Sequence, residues 1–448
     1  MNDSRTHHER PAHTDTGTPR RVVVSGIGLV TALGEGTAAT WEGLLAGRTG
    51  IAPLRGYDPA ALRTRIGAQV DGFDPARYLG RRSLRMVCRG DQLGVAGAAL
   101  ALEDAGLTDA TGPTCGAELG YRTGLFLGGN KDMPRMDGLV DGVVRIRRED
   151  GTPDLGALGR DASSILAPLF YVEGLQPAAL FHISQKFGIR GANDFFAGTA
   201  DASVTALGRA FRAIRRGECD VTLAGGYDEP TSWWTMSKMD GLGVLTTRND
   251  AGADACRPFD REHSGSVFGE GAALLVLEER ERALARGARV YAEIDGFGSG
   301  TDCVRPPGTH PRARGLARAI TRALADARRD TATDYIAAHG CATPQGDVSE
   351  TRALHDALGT AAKAAQISSV KAQTGHLVGG AGALNAAVAA LALHHGTVPA
   401  TRGHHEPADG CDLDWVPGSP RASRPGAALA LARGLEGQAA ALSMRVDR

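Results

Sequence analysis

Four side chains in this sequence have the types and settings to do chemistry together: Asp201, His339, Lys371 and His376. Asp201 falls in GANDFFAGTADASVTALGRAFRAIRRGECDVTLAGG, residues 191–226, which reads as a short strand, a sharp turn and then a helix. A side chain at such an elbow is presented to a cleft beside a helix N-terminus, where a nucleophile or an anion is favoured. The same position also suits a plain helix N-cap, for which Asp is a preferred residue. His339, in DYIAAHGCATPQGDVSE, follows an apolar strand, and His376, in SSVKAQTGHLVGGAGALNAA, precedes an Ala-rich helix. Both are followed by glycine-containing loops, so they can converge on one pocket at the carboxyl ends of a sheet. Each histidine alone fits a satisfied structural residue, and Lys371, five positions before His376, fits a solvated lysine. Taken together, a carboxylate within reach of two imidazoles is an acid/base set.

The elements needed to hold these residues can be read from the periodicity. RVVVSGIGLVTALG, from Arg21, is a buried β-branched strand breaking into a glycine-rich turn. Leu93 to Ala105 reads as a helix, and Thr123 to Gly129 and Val221 to Gly226 as strands. In the helix after the elbow, Val204, Leu207, Phe211 and Ile214 share one apolar face, away from Arg209, Arg212, Arg215 and Arg216. A second cycle follows: strands AALLVLEE and YAEIDGFGSG, a helix from Arg314 to Ala327, the strand DYIAAHG, then ISSVKAQTGH and the Ala-rich helix. The alternation predicts parallel βαβ layering in two similar halves, 20–274 and 275–448, preceded by a disordered tail over 1–19. The halves correspond in element order, with no residue-level repeat visible. The charged stretch from Met133 to Ala178 reads as an excursion from the core.

Composition narrows the function. The 448 residues carry 50 Lys+Arg against 51 Asp+Glu, a formal charge of -1 that denies the chain the basic field nucleic-acid binding requires. Glycine is abundant at 61 residues and aromatics are only 5%, which suits an α/β scaffold with many tight turns. Cys88, Cys115, Cys219, Cys256, Cys303, Cys341 and Cys411 are scattered and contain no CxxC pair, so a reducing compartment is expected, without disulfides or structural zinc. The polar start lacks a signal-peptide core, and no run of 18 apolar residues follows, which points to a cytoplasmic protein. GIGLVTALG is not a GxGxxG, and His7-His8 and His404-His405-Glu406 lack metal-ligand spacing. No cofactor or metal is expected.

From Arg21 to Met444 the chain resembles the β-ketoacyl synthases, the condensing enzymes, through RVVVSGIGLVTALG, GRAFRAIRRGECDVTLAGG, CRPFDREHSGSVFGEGAALLVLE, DYIAAHG and SSVKAQTGHLVGGAGA in family order. The resemblance implies a thiolase-like α/β fold of two duplicated halves in five αβαβα layers, a homodimer or heterodimer, and acyl chains tethered to acyl carrier protein. It implies that His339 and His376 match the two histidines that assist decarboxylation of a malonyl extender, that Lys371 matches the lysine that supports the site, and that Glu270 is a buried, paired carboxylate. The family's elbow motif is similar to Thr-Ala-Cys-Ala-Ser, and Thr199 to Ser203 here reads TADAS, so Asp201 matches the cysteine that takes the acyl chain. Cys219 lies beyond the helix, while Cys341, two residues after His339, is a weak substitute. The family's Phe-Gly-Phe-Gly-Gly loop aligns loosely with Gly434, Leu435, Glu436 and Gly437.

A carboxylate is a far weaker nucleophile toward thioesters than a thiolate, and its product is a reactive anhydride. Two functions remain. The chain is a partner subunit similar to the chain-length factors that pair with a cysteine-bearing ketosynthase, or an enzyme that uses Asp201 with His339 and His376 for acid/base acyl transfer, cyclisation or dehydration. An engineered or decayed inactivation of an ordinary condensing enzyme is the third, bland reading.

Overall fold

The computed structural model describes residues 19–109, 112–113, 117–130, 136–165, 178–303 and 310–447. Nearly all of the expected N-terminal tail, Cys115, and parts of the 133–178 excursion lie outside them; the rest of the excursion holds helices at Met136–Arg145 and Leu155–Ile165. Among the described residues no helix is long and apolar enough to cross a membrane.

Ten strands follow one another through the main sheet: β1 Val22–Thr31, β2 Thr123–Gly129, β3 Asn193–Ala197, β4 Val221–Asp228, β5 Gly271–Glu279, β6 Ala292–Thr301, β7 Tyr335–Ala337, β8 Gln366–Ser368, β9 Ala427–Arg433 and β10 Gln438–Arg445. Their spatial order is β8-β7-β9-β10-β6-β1-β5-β4-β2-β3. Read outward from the centre, the first half runs first, fifth, fourth, second, third strand, and the second half repeats that order. The halves join where Val22, Val23 and Val24 of β1 pair with β6. β5 runs unbroken through the boundary expected at 274/275, so the first half extends at least to Glu279.

The layering is not parallel throughout, as the alternation had predicted. β2 pairs parallel with β3 and β4, and β7 with β8 and β9, but β1–β5, β4–β5, β1–β6, β6–β10 and β9–β10 are antiparallel. β9 and β10 are joined by only Gly434 to Gly437, and a hairpin connection of that length permits only antiparallel pairing.

A residue-level repeat also exists. The β1 ladder shifts register between Val24 and Gly26, and the β6 ladder between Ile294 and Gly296. Each bulge opens a Gly-X-Gly, Gly26-Ile27-Gly28 and Gly296-Phe297-Gly298, on which a helix rests backbone to backbone. A Cβ on Gly28 would sit 2.1 Å from Gly97 O in α1 (Arg89–Asp104), and one on Gly298 would sit 2.1 Å from Ala319 O in a helix of the second half, Arg314–Asp326. Neither gap has room for a methyl group.

Between the two half-sheets lie α2 (Ala200–Arg215) and the Ala-rich helix Ala381–His395. α2 buries Val204, Leu207, Phe211 and Ile214 as its period required. Ala381 to Leu393 is buried all round, which fits an Ala- and Leu-rich segment without a polar face. With α1 and Arg314–Asp326 on the outer faces, the result is the five-layered αβαβα condensing-enzyme fold.

Candidate active site

Each polar group of the site stands at the end of a strand. α3 (Arg314–Asp326) covers the second half-sheet; α4 (Pro344–Leu358) follows β7, and α5 (Ala381–His395) follows β8. His339 comes two residues after β7, and its backbone is held by Glu350 of α4: Glu350 Oε1 accepts from His339 N at 2.7 Å and Oε2 from Gly340 N at 2.8 Å. Asn385 of α5 ties down the same region, its Nδ2 donating to Ala338 O at 2.9 Å and to Leu431 O of β9 at 2.8 Å. Lys371, fully buried, donates from Nζ to His339 O.

His376 follows on the loop between β8 and α5. Its N–H bonds Val267 O at 2.8 Å, and its carbonyl accepts from Gly269 N at 3.0 Å. Val378 adopts φ +41°, a left-handed conformation that is costly for a β-branched residue, and its N–H thereby reaches His376 Nδ1 at 2.9 Å. His339 Nδ1 likewise accepts from Arg433 N, at 3.4 Å. With Nδ1 occupied as an acceptor, the proton of each neutral ring sits on Nε2.

The two rings stand edge to face with centroids 5.3 Å apart, and Phe268 meets His376 the same way at 5.9 Å. Burial, followed by the Lys371 charge, holds both imidazoles well below the usual histidine range, so they are neutral. Burial also lowers Lys371 and raises Glu350. Both histidines line a cavity of about 420 Å³ with Thr199, Phe268, Cys341, Val378, Arg433 and Leu435 among its walls. A pair of Nε2–H donors in a low-dielectric pocket can hold a thioester carbonyl or the oxyanion derived from it.

Asp201 is placed differently. It lies inside the first turn of α2, whose N-cap is Thr199, so the plain N-cap reading does not hold. Its carboxylate is turned against the β9–β10 turn: Gly434 comes so close that a Cβ there would stand 2.5 Å from Asp201 Oδ1 and 2.9 Å from Gln438 Oε1. Leu435 N donates to Thr199 Oγ1 at 3.2 Å, closing that wall. Asp201 Oδ1 is buried with no hydrogen-bond partner among the described residues, and burial raises the carboxyl above its ordinary range. Asp201 is not among the cavity's lining residues and makes no hydrogen bond to either histidine. The structure thus brings His339, Lys371 and His376 together and sets Asp201 behind the adjoining wall.

The other sequence expectations resolve plainly. Cys341 lines the cavity, but burial raises its thiol, and Sγ lies 3.1 Å from Thr343 Oγ1. Cys219 is buried elsewhere, in the core behind α2. Glu270 is fully buried and paired with Arg89. Sequence reasoning missed Glu350, Asn385 and Arg433; Glu350 and Asn385 act on backbone groups distant in sequence, which no local pattern signals. Arg433 stood one residue outside the loosely aligned loop.

Comparison with known proteins agrees with this geometry. Residues 19–283 match the β-ketoacyl synthase N-terminal domain and residues 291–405 the C-terminal domain. The chain is 36% identical over 437 residues to the tetracenomycin polyketide synthase ketoacyl synthase alpha subunit of Streptomyces glaucescens, covering 95% of this chain and 97% of that one. Among solved structures, the ishigamide ketosynthase/chain length factor superposes with a TM-score of 0.83 at 29% identity, covering 96% of this chain and 100% of that one. A type II polyketide acyl-carrier protein in complex with its ketosynthase, AntDE:AntF, gives 0.82 at 26%, with the same coverages of 96% and 100%. By fold, by site and by sequence, the chain belongs to the β-ketoacyl synthase family.

Proposed function

We propose that this chain is a subunit of type II polyketide or fatty-acid-like biosynthesis that holds a carrier-tethered acyl chain in the cytoplasm and leaves carbon–carbon bond formation to a cysteine-bearing partner, as a chain-length factor does. The observation that carries this reading is the direction of Asp201, which matches the family's elbow cysteine: its carboxylate packs on the β9–β10 turn and stays out of the cavity. The two histidines are in place to hold a carbonyl, while the elbow position offers the cavity no nucleophile and the Cys341 thiol in its wall is raised by burial. The ishigamide relative, a ketosynthase/chain length factor, supports pairing with a second ketosynthase, and AntDE:AntF supports an acyl carrier protein as the substrate's vehicle. β3 supports it too, as a sheet edge that is uncovered among the described residues, with Asn193, Asp194 and Ala197 exposed.

The test is the native mass of the protein from its own host at natural expression, with the partner identified by peptide sequencing. A one-to-one complex with a ketosynthase-like chain bearing an elbow cysteine is expected; a homodimer free of such a chain sinks the reading.

The second reading, in which Asp201 works with the histidines in acid/base chemistry, draws on its buried, unpartnered Oδ1. It requires Asp201 to be the proton acceptor, because both Nδ1 atoms already accept backbone N–H groups. Under it, Asp201→Asn abolishes turnover and leaves native mass and melting unchanged; retained product removes it.

A further inference from the structure

The two imidazoles stand on different supports. His339 is held from α4, by Glu350, whereas His376 is held by Val267 and Gly269, at the end of the run 259–269. That run starts from α4 as well. Asp347, three residues before Glu350 and fully buried, accepts at Oδ2 from Phe259 N at 2.7 Å and from His263 Nδ1 at 3.1 Å. Phe259 stands at φ +61°, a left-handed conformation that persists in a bulky residue only where its surroundings fix it. One helix thus carries two carboxyl groups, Glu350 for the loop of His339 and Asp347 for the run that ends on His376.

Of the two bonds to Asp347 Oδ2, the one from His263 joins side chain to side chain. Because Oδ2 accepts it, the His263 proton lies on Nδ1, the opposite of His339 and His376. The other ring nitrogen of His263, Nε2, has no hydrogen-bond partner among the described residues. Burial raises the Asp347 carboxyl, and the His263 bond works against that rise. Neither His263 nor Asp347 lines the cavity, so any effect of the pair on a bound molecule passes through the residues that do.

We propose that His263 is a positioning residue for His376: its Nδ1–H on Asp347 fixes the start of the run 259–269, and the end of that run fixes the backbone that sets the His376 ring. Asp347 and Glu350 together make α4 the common reference from which the two Nε2–H groups are spaced. What that spacing does for a thioester carbonyl rests on the acyl-holding role proposed above. The positioning itself can be read without a ligand.

Nitrogen NMR of the intact protein with isotope-labelled histidines reads both rings, and His339→Gln and His376→Gln identify their signals by loss. The parent is expected to show each ring as the Nε2–H tautomer. His263→Gln, whose donor falls where Nε2 stands, should move the His376 signals toward a mixture of tautomers and leave those of His339 in place. It should also weaken acetyl-pantetheine amide about fivefold, somewhat less than the loss of one hydrogen bond. His263→Asn, whose Nδ2 falls where Nδ1 stands, should restore the parent spectrum and bring that affinity back to within about twofold. Unchanged His376 signals in His263→Gln overturn the proposal, and so do equal changes in both rings or Asn and Gln variants that behave alike. If His263→Gln does not fold, His263→Ala is read the same way. A His376 ring that fails to respond while the one-to-one partner complex is intact removes the positioning alone; a ring that responds in a protein without that complex keeps the positioning and removes the acyl-holding role.

Discussion

The two edges of the sheet are made from the same strand of each half, yet they are finished differently. β8 is sealed by the chain itself: Ile367 N donates to Asp414 O at 2.8 Å, and Trp415 stacks on Phe259 with centroids 3.5 Å apart beneath it. β3 is left open among the described residues, and three of its five residues are exposed. The connections behind the edges differ in kind as well. The one after β8 delivers Lys371 and His376, each fixed by backbone bonds, whereas the one after β3 delivers a carboxyl group turned into the wall. The second half therefore positions its polar groups with its own chain. The first half repeats the scaffold and leaves its edge strand exposed among the described residues, which is where the proposed partner chain would add.

This comparison can be broken most forcefully at the shared scaffold. Gly28→Ala and Gly298→Ala each drive a methyl group into a helix backbone, and each is expected to cost about 3 kcal/mol or to prevent folding, read by chemical denaturation. A loss in one half alone would show that the halves are not mechanically equivalent. Asn385→Ala, which strips two buried carbonyls of their donor, should cost about 2 kcal/mol in the same measurement. A smaller effect addresses binding. His339→Ala and His376→Ala should each weaken an acyl-pantetheine amide about tenfold, or about 1.4 kcal/mol, the loss of one hydrogen bond. Asp201→Asn should leave that affinity within twofold, because Asp201 does not line the cavity.

The finest distinction is in pH dependence, where the two halves have opposite signs. Asp201 is raised by burial above its unfolded value of 3.8, so its contribution to stability is full below that value and is lost as pH rises. Asp201→Asn should gain on the parent as pH climbs from 4 toward 8. His376 is depressed by burial below 6.5, so its contribution is present above that value and is lost as pH falls. His376→Gln should gain on the parent between pH 6.5 and 5. Parallel pH curves for parent and variants would contradict both assignments of charge.

How much of this could be read from the residues depended on whether the signal was local. The strands, the buried face of α2 and the pairing of His339 with His376 follow from short apolar runs and their ends. Strand direction does not, because RVVVSGIGLV reads the same beside a parallel or an antiparallel neighbour. The Gly-X-Gly repeat escaped notice because the two copies share only glycines across 270 positions, and its meaning lies in the helix above. Arg433 looked like the edge of a degraded loop, and only the folded chain shows its backbone N–H reaching His339 Nδ1 across 94 positions. The turn of Asp201 away from the pocket depends on Gly434, more than two hundred residues away.

The two backbone bonds to the imidazole Nδ1 atoms have a consequence for local motion. A ring cannot take up a second proton at Nδ1 while the N–H of Val378 or Arg433 occupies that nitrogen. Acidification must therefore release the strained loop at Val378 and the end of β9 at Arg433, far apart in sequence but facing the same cavity. The amide hydrogens of these two residues act as gauges of the site's charge, slow to exchange with solvent while the rings are neutral and opened by the proton that charges them.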